Sequence, residues 1–479
     1  MMEPRPFPGM RAFDSLHAED EAAWLEAIFH RPECFTAMSM NRSLVLFGSS
    51  GSGKTAVRLR LEALCAPDGQ KPNRLTVQWV PPIPFQGQSK NEIIQEVMSP
   101  VYDACAQAIL AYIGRYPQAY QQAKGWAQDS LRAFIACFLA QDYAFLISQM
   151  EDQCTPEGFQ LLRGEIRRPV EQMIYAQDMP ISKIITLFAA MIAQFQVKGV
   201  WVMIDGIEGP LEFQREEIIQ SFHTFFSTLA IFENNAFAFK IMLPAELLPA
   251  LSQCPVIRNR RVTVVRLDED IRDTPDYLRM IVEKHLAHAV GAAQFPLRQL
   301  VEQPGRLLRW LDRFVDPTPR AWLELTQALL RAYLAQSEPG PLSPEALSEV
   351  LNPRTPRLRI DQAKQQILIG RMAVSDIQPA AWKILLYLYK NKARLCTREE
   401  IYYLGYQELD TIPKQGDARY QSPNEWRGTL DTALYRLRLA LEGRTETEKE
   451  EAQSAVEEDG DNPYLTTYRR KGVRLDHVE

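Results

Sequence analysis

Apolar residues form two different patterns along this chain, and the change from one pattern to the other predicts where strands and helices lie. Short runs that are apolar at nearly every position, such as Ser43–Phe47, Val200–Ile204 and Ala236–Pro244, are typical of strands buried on both faces of a parallel sheet. Between about residues 91 and 195, apolar residues recur instead at helical spacing. Adjacent parallel strands need only one crossover helix. The pattern therefore predicts an α/β sheet with a large helical insertion.

The last part of the chain shows a third pattern, after a Pro-rich break near residues 337–355. Short alternating strands around 358–374 precede an amphipathic helix at Ala380–Asn391. Thr397 with Glu400 has the spacing of a helix cap, and a further helix is predicted at Thr429–Glu442. Pro463–Leu475 is typical of a hairpin. A small α+β domain is therefore predicted at this end.

A phosphate-binding motif lies between the first apolar run and a helix-forming stretch. Residues 48–55 have the sequence GSSGSGKT, which matches G-x-x-x-x-G-K-T. Glycines let the backbone wrap a phosphate, and the N–H groups at the start of the next helix face the anion. Lys54 is expected to contact the β- and γ-phosphates, and the Thr55 hydroxyl to hold Mg²⁺. The predicted nucleotide-binding residues are Gly48, Gly51, Ser52, Gly53, Lys54 and Thr55.

Acidic residues follow the second buried run in a pattern typical of a Walker B segment. Asp205 ends the strand Val200–Ile204, and Glu208 follows three residues later. The strand would carry Asp205 to the carboxyl edge of the sheet, where a carboxylate can hold Mg²⁺. Glu208 would orient or deprotonate the attacking water. The alternative is a strand with an ordinary acidic residue in its exit turn.

Several arginines are candidates for contacts with the γ-phosphate. Arg320 lies at a predicted helix start after Pro319, where its side chain would reach the nucleotide from a helical lid. Arg258, Arg260 and Arg261 precede a strand and would act as arginine fingers toward a neighbouring subunit. Solvated surface charge is the alternative for each of them. The strand ending at Leu243 carries no polar residue at its tip, so the γ-phosphate sensor expected there is altered or missing.

These motifs together resemble the AAA+/STAND branch of P-loop ATPases over about residues 4–335. Arg5–Phe13 is similar to the lead-in P-Y-x-G-L-R-P-F, Asp205–Glu208 to the D-G-x-D/E Walker B, and Pro317–Arg320 to the P-R turn of the lid. The resemblance implies a nucleotide-driven switch that often forms oligomers. The altered sensor and the helical insertion depart from the family pattern and leave the efficiency of hydrolysis open.

The C-terminal part resembles the winged-helix DNA-binding domain of the OmpR/PhoB type over about Leu358–Leu475. Leu430–Arg438 is similar to the recognition helix V-x-x-x-I-x-x-L-R, and Tyr464–Leu475 to the wing. The resemblance implies a helix in the major groove and a basic wing tip on the minor groove or phosphates. The long loop Tyr406–Trp426 and the acidic link Glu442–Asp461 depart from the family, and use for protein contacts is the alternative. The implied DNA contacts are Thr432, Tyr435, Arg436, Arg469, Arg470 and Lys471.

Composition and charge limit the partners and the cellular compartment that we expect for this protein. The 479 residues carry a formal net charge of −6, so the whole chain is not a general binder of nucleic acid, although basic residues concentrate after Arg354. Seven scattered cysteines without a C-x-x-C pair are typical of buried thiols in a reducing compartment. The longest apolar stretch, Phe134–Ile147, contains Asp142 and is too short for a bilayer. We therefore expect a cytoplasmic protein without a membrane partner.

The sequence thus predicts a multidomain α/β plus α+β protein. Its expected fold is a P-loop NTPase parallel sheet with a helical insertion and a helical lid, followed by a winged helix. The predicted domains are an N-terminal arm (1–30), an ATPase core (31–270, with the insertion at about 90–195), the lid (271–336), a linker (337–355) and the winged helix (356–479).

The functional hypothesis is an ATP- and Mg²⁺-dependent, slowly hydrolysing switch that controls binding to double-stranded DNA, as a transcription or defence-type regulator. A homo-oligomer is expected in the ATP-bound state, and the helical insertion is a candidate surface for a protein partner. The first alternative is an ATPase that loads or remodels on DNA, as initiator or transposition ATPases do. The second is an ATP-binding scaffold for protein partners.

Overall fold

The computed structural model describes most of the chain in two compact units. The residues described are 16–65, 71–80, 90–167, 175, 179–207, 211–274, 276–337, 340–370, 372–375, 377–392, 394–442, 462–468 and 471–479. Unit 1 comprises Met1–Pro296 and Pro317–Gln327, and unit 2 comprises Leu297–Asp316 and Ala328–Glu479. Several sequence predictions lie outside the described residues: those on the arm Arg5–Phe13, Glu208, Arg469, Arg470 and most of the acidic link.

Unit 1 is an α/β unit in which helices alternate with strands. Its elements are α1 Leu25–Ile28, α2 Phe35–Met38, β1 Leu44–Gly48, α3 Lys54–Cys65, β2 Leu75–Gln78, α4 Lys90–Arg115, α5 Pro117–Gln121, α6 Gly125–Phe138, α7 Tyr143–Gln149, α8 Pro156–Gly164, α9 Ile181–Gln194, β3 Val200–Ile204, α10 Leu211–Phe226, α11 Leu229–Phe232, β4 Phe237–Pro244, α12 Leu248–Leu251, α13 Pro255–Arg258, β5 Thr263–Arg266, α14 Leu267–Asp273 and α15 Tyr277–Val290. Short 3₁₀ turns occur at Glu151–Gln153 and Ala245–Leu247.

The strands of unit 1 form one five-stranded parallel sheet in the order β2-β3-β4-β1-β5. Strands β1, β3 and β4 are buried along their whole length, because helices cover both faces of the sheet. This burial is the physical reason for the uninterrupted apolar runs in the sequence. Strand β4 separates β1 from β3, so the carboxyl ends of all three strands meet at one edge. The predicted parallel α/β sheet is confirmed.

The helical insertion lies between β2 and β3 and consists of helices α4–α9. It shares one apolar core with the sheet, in which the rings of Phe134 and Phe188 lie 4.5 Å apart and Phe188 meets Phe237 of β4 at 6.5 Å. Helix α4 continues through Pro100 within its first three turns. The insertion is therefore part of the folding core of unit 1.

Unit 2 combines helices with two small antiparallel sheets. Its elements are α16 Leu297–Leu300, α17 Pro304–Phe314, the second part of α18 Pro319–Leu334, α19 Pro344–Leu351, a 3₁₀ turn Asn352–Arg354, β6 Leu358–Asp361, β7 Gln366–Ile369, β8 Met372–Val374, α20 Pro379–Lys390, α21 Arg398–Glu400, a π-helical segment Ile401–Tyr406, α22 Pro423–Leu441, β9 Leu465–Tyr468 and β10 Gly472–Leu475. Strands β6, β7 and β8 form an antiparallel meander, and β9 and β10 form a hairpin. Cys396 and Val473 exchange two backbone hydrogen bonds of 2.9 Å, which tie the hairpin to the segment before α21.

One helix of unit 2 begins earlier than predicted, and another begins at the predicted cap. The helix predicted at Thr429–Glu442 begins six residues earlier, at Pro423, because Ser422 and Glu425 form a capping box and proline suits the first turn. The helix predicted after Thr397 does begin with the expected capping box between Thr397 and Glu400. It continues as a π-helical segment whose Gly405 packs against the Tyr387 side chain of α20.

Two further observations concern cysteines and apolar helices. All seven cysteines lie in the described part of the chain, and none of them is joined to another. Within that part, no single helix has the length and apolar content for a bilayer crossing, although the bent pair α6 and α7 meets those two criteria when taken together.

Candidate functional site

The predicted P-loop is a tight turn between β1 and α3. Gly51 and Gly53 adopt positive φ angles of 78° and 95°, which side chains other than glycine rarely tolerate. A Cβ atom at Gly51 would lie 2.9 Å from Cβ of Arg320, so glycine is also required there by the close approach of α18. The spacing of glycines in the motif thus follows from both backbone conformation and packing.

Lys54 is the first residue of α3, and its side chain is buried. Its Nζ donates hydrogen bonds of 2.9 Å to the carbonyl oxygens of Gly48 and Ser49. The ammonium group is therefore held over the inside of the loop by the loop's own backbone. An anionic phosphate in this turn would meet the positive charge, the N–H groups of the loop and the N-terminus of α3.

Asp268 supports the loop from the neighbouring strand. It lies in the first turn of α14, directly after β5, and accepts hydrogen bonds from Ser49 N at 2.8 Å and Ser49 Oγ at 3.0 Å. Strand β5 pairs with β1, so its exit brings Asp268 beside the loop. The sequence analysis missed this contact, because only the pairing of β1 with β5 brings the two segments together.

Asp205 lies at the carboxyl end of β3, on the edge of the sheet that carries the P-loop. Its Oδ2 accepts a 2.9 Å hydrogen bond from Nε of Arg58, a buried residue of α3. The same guanidinium contacts Glu62 at 2.9 Å and Glu19 at 3.3 Å. Burial lowers the pKa of Arg58, but the charges of Glu62 and Asp205 and their hydrogen bonds outweigh it, so the pKa is raised overall. The structure therefore joins the predicted Walker B carboxylate to the P-loop helix.

Thr55 and Asp205 have side chains of the type that would bind a magnesium ion, most of whose ligands would come from a nucleotide and water. The part of the chain that the structure describes contains no group of three or more His, Cys, Asp or Glu side chains that could hold a metal. Hydroxyl and carboxylate oxygens, as in Thr55 and Asp205, are ligand types that Mg²⁺ accepts alongside phosphate oxygens and water. Asp205 would contribute through Oδ1 or a bound water, since Oδ2 already accepts from Arg58.

A cavity of about 270 Å³ opens next to the P-loop within unit 1. Residues 51–57 line it, and Arg320 lies beside them, with its backbone N donating to Gly51 O at 3.2 Å. Glu21, Tyr277 and His285 also line the cavity. Apolar residues that line the cavity include Leu25, Ile28, Phe29, Ile281 and Leu323. The lining of the cavity is polar and apolar in about equal measure.

Three of the predicted arginines lie elsewhere. Arg258, Arg260 and Arg261 are exposed and precede β5, whose first residue pairs with the start of β1. They therefore lie at the amino edge of the sheet, opposite the P-loop of the same chain. The tip of β4 carries buried Leu243 next to the end of β1, so no polar side chain extends from that position.

The predicted DNA-contacting face of unit 2 lies on α22. Leu430, Ala433, Leu437 and Leu441 are buried in the core of the unit, whereas Asp431, Thr432 and Tyr435 on the opposite side of the helix are exposed. Arg436 is half-buried. The Thr432 hydroxyl donates to Gly428 O at 2.9 Å, and Asp431 on the same face forms an ion pair with Arg398.

The hairpin β9–β10 carries the predicted wing tip. Lys471 is exposed and its backbone N donates to Tyr468 O at 3.0 Å. Arg438 of α22 donates to Thr467 Oγ1 of β9 at 3.4 Å. Helix and hairpin are therefore joined within this unit.

The parallel five-stranded sheet, with a P-loop after one strand and an acidic residue after another, fits the fold of P-loop NTPases. No protein-family model matches the sequence. No curated protein matches it.

Two solved structures are similar to the chain over nearly its whole length. The ORC2 protein of Aeropyrum pernix, in ADPNP and ADP complexes, is 11% identical with a TM-score of 0.31, and the match covers 99% of this chain and 95% of that one. The ORC1 protein of the same organism, in complex with DNA, is 13% identical with a TM-score of 0.30, again over 99% and 95%. The fold assignment rests on the parallel sheet and the P-loop.

Proposed function

We propose that this chain is an AAA+-type ATPase that binds ATP with Mg²⁺ in unit 1 and duplex DNA through a winged helix in unit 2. The observation that carries the proposal is that the P-loop after β1 and Asp205 after β3 lie at the same edge of a parallel sheet, with β4 between the two strands. An extra strand at this place is the arrangement of the ATPase branch that the motifs resemble. The adjoining cavity supplies room for the remainder of a nucleotide.

The roles in the nucleotide site follow from chemistry and position. The N–H groups of Gly51, Ser52 and Gly53 would bind the phosphates together with Lys54, and Arg320 would neutralise the γ-phosphate from α18. Thr55 and Asp205 would hold Mg²⁺. A bound Mg²⁺ would stabilise the negative charge that develops on the phosphates during hydrolysis. Glu208 is proposed to orient water, on the sequence pattern alone.

The ion pair between Arg58 and Asp205 favours slow turnover. A carboxylate that already accepts from a buried guanidinium is a weaker partner for a metal-bound water, since part of its charge is compensated. We therefore favour a switch in which bound ATP, and not rapid hydrolysis, changes the behaviour of the protein. Arg258, Arg260 and Arg261 are proposed to contact the nucleotide of a neighbouring subunit, which requires a homo-oligomer.

The DNA-binding proposal is supported by the pattern of burial on α22 and by the hairpin that follows it. A helix with one buried face and an exposed face carrying Thr432, Tyr435 and Arg436 can enter a major groove. Lys471, with Arg469 and Arg470 beside it in sequence, would bind phosphates. The predicted domain bounds, with a lid at 271–336 and a linker at 337–355, remain part of the proposal.

The test combines DNA selection with turnover. Full-length protein is incubated with a pool of random duplexes, with and without ATP and Mg²⁺, as wild type and as Lys54→Ala, and bound DNA is sequenced. Lys198→Ala, which removes an exposed lysine of unit 1, is the matched control. The proposed switch requires that one DNA sequence is enriched only when ATP is present. This enrichment should be lost in Lys54→Ala and kept in Lys198→Ala.

Turnover then separates the alternatives. An ATPase that loads on DNA would show hydrolysis strongly stimulated by any duplex. A protein scaffold would show no DNA affinity at moderate salt, where specific DNA-binding proteins still bind.

A further inference from the structure

The buried Arg58 connects the proposed metal carboxylate to a segment that lines the cavity beside the P-loop. It is 7% exposed, and its Nε donates to Asp205 Oδ2 at 2.9 Å. Its terminal nitrogens donate to Glu62, one turn along the same helix, at 2.9 Å and to Glu19 at 3.3 Å. One guanidinium therefore shares its charge among three carboxylates, which come from the end of β3, from α3 and from the segment before α1.

Residues 16–30, here called the N-terminal wall, contribute many of the residues that line the cavity. The wall is anchored at Phe29, whose carbonyl oxygen accepts a 2.8 Å hydrogen bond from Nζ of Lys284 on α15. Between residues 17 and 24, its backbone forms turns whose hydrogen bonds run within the wall. The side chain of Glu19 joins these turns to the P-loop helix.

A second ion pair joins the wall to the same helix. Arg60 donates to Glu26 at 2.9 Å, and the Glu26 side chain is 74% exposed. Two residues along an α-helix turn a side chain by about 200°, so Arg60 and Arg58 leave α3 on different faces. The wall is thus held by two pairs, and Asp205 shares the arginine of the pair with Glu19.

A Mg²⁺ ion on Asp205 changes how the guanidinium of Arg58 is shared. The metal draws on the carboxylate that accepts from Arg58, and its charge repels the guanidinium. Arg58 then loses part of its compensation, although a buried cation requires compensation in place. Its charge moves toward the two remaining carboxylates. Glu62 lies on the same helix, so the pair with Glu19 is the one whose strengthening acts on another segment.

We propose that Arg58 is a positioning residue that couples Mg²⁺ binding at Asp205 to closure of the N-terminal wall through Glu19. This proposal rests on the proposed nucleotide and metal site. Binding of Mg²⁺ with a nucleotide tightens the pair of Arg58 and Glu19, and the wall holds the nucleotide in the cavity. Loss of the metal returns the guanidinium to Asp205 and loosens the wall, which allows the nucleotide to leave.

The first experiment measures how strongly Mg²⁺ improves nucleotide affinity. Calorimetric titration of the full-length protein with AMP-PNP, a non-hydrolysable ATP analogue, gives dissociation constants in Mg²⁺ and in EDTA. Glu19→Gln should reduce the ratio of the two constants by about three- to fivefold, because the Glu19 side of the pair is half exposed and its contribution is modest. Glu26→Gln loosens the same wall without touching the partner of Asp205, and should leave the ratio unchanged.

The second experiment follows the wall itself by hydrogen exchange and mass spectrometry. With AMP-PNP saturating in both solutions, Mg²⁺ should slow exchange in residues 16–30 of the wild type by about three- to fivefold relative to EDTA. This difference should vanish in Glu19→Gln. It should also vanish in Arg58→Lys, because lysine keeps the charge but lacks the planar fork that spans several carboxylates. Glu26→Gln should keep the difference.

The outcomes separate this proposal from the one on which it rests. A difference between Mg²⁺ and EDTA that persists in Glu19→Gln, or that is lost equally in Glu26→Gln, overturns the coupling through Arg58. A wild type that binds AMP-PNP without any effect of Mg²⁺ on the wall leaves the phosphate site standing and removes only the coupling. Failure of the wild type to bind AMP-PNP overturns both.

Discussion

The two candidate sites of this protein are built in opposite ways. At the P-loop edge of unit 1, the charged groups Lys54 and Arg58 are buried, and each is bonded to the backbone or to carboxylates. On α22 and the hairpin of unit 2, the candidate residues Thr432, Tyr435 and Lys471 lie on the surface. A buried charge has few possible arrangements, because each needs compensation in place, whereas a surface charge is solvated wherever it points.

This contrast indicates where substitutions should cost stability and where they should cost only binding. Changes at the P-loop edge disturb a connected set of buried contacts, so folding and ligand affinity are expected to change together. Changes on the α22 face remove groups that water solvates in the free protein, so DNA affinity should fall while the fold remains.

The largest effect is expected for Lys54→Ala. Loss of the ammonium that faces the phosphates should weaken ATP binding by about 100-fold or more, since charge-assisted contacts to phosphate are strong. Calorimetric titration of the full-length protein measures this, with Lys198→Ala as the control. Unchanged ATP affinity in a folded Lys54→Ala protein would show that the loop does not bind the triphosphate.

A large loss of stability is expected for Arg58→Met. It leaves the carboxylates of Asp205 and Glu62 without their buried partner, which should lower the free energy of unfolding by about 3 kcal/mol. Denaturant unfolding measures it. Arg266→Met breaks a pair with Glu269 in which both side chains are about half exposed, and should cost at most about 0.5 kcal/mol. Equal costs for the two variants would remove the contrast between buried and exposed charge.

The surface of unit 2 is tested by Tyr435→Ala, Arg436→Ala and Lys471→Ala in one protein. We expect DNA affinity to fall by about 10- to 100-fold, and the dependence of log K on log salt to become less steep by about one for each basic side chain removed from a phosphate. Lys364→Ala, on the exposed turn between β6 and β7, is the control. The unfolding midpoint should stay near that of the wild type, and a coincident large drop would mean that the α22 face supports the fold.

The smallest effect is expected for the capping box of α21. Thr397→Ala removes the acceptor for Glu400 N and should cost about 1 kcal/mol, whereas Thr429→Ala in the exposed part of α22 should be nearly neutral.

The pKa of Glu400 is lowered, because hydrogen bonds from Thr397 and Arg394 outweigh burial. Its contribution is therefore present above about pH 4.3, the usual pKa of glutamate, and is lost as the pH falls through the lower folded value.

Denaturant unfolding at a series of pH values measures how the contribution of Glu400 to the free energy of unfolding depends on pH. The cost of Glu400→Ala, which removes the carboxylate that accepts from Thr397 N, should shrink in acid, where the wild-type carboxylate is protonated. A cost that stays constant from pH 7 to acid would contradict the assigned role of the Glu400 carboxylate.

The local features of this protein can be predicted from its amino-acid sequence. Apolar runs at Leu44–Phe47 and Val200–Ile204 specify buried strands, since only a strand covered on both faces is apolar at every position. The glycines at 51 and 53 specify a turn with positive φ angles, and Thr397 with Glu400 specifies a helix start. These features depend on neighbours a few residues away, so one sequence is enough to predict them.

Contacts between residues that are far apart in sequence depend instead on the tertiary structure. Asp268 joins Ser49 because β5 pairs with β1, and Arg58 meets Asp205 because α3 packs on a sheet in which β4 separates the two strands. Glu21 and His285 lie far apart in sequence, and each is an ordinary polar residue in its own segment. Their meeting beside the P-loop follows from the packing of α15 and the N-terminal segment. No local pattern encodes such a pair, because its free energy depends on burial that exists only in the folded unit.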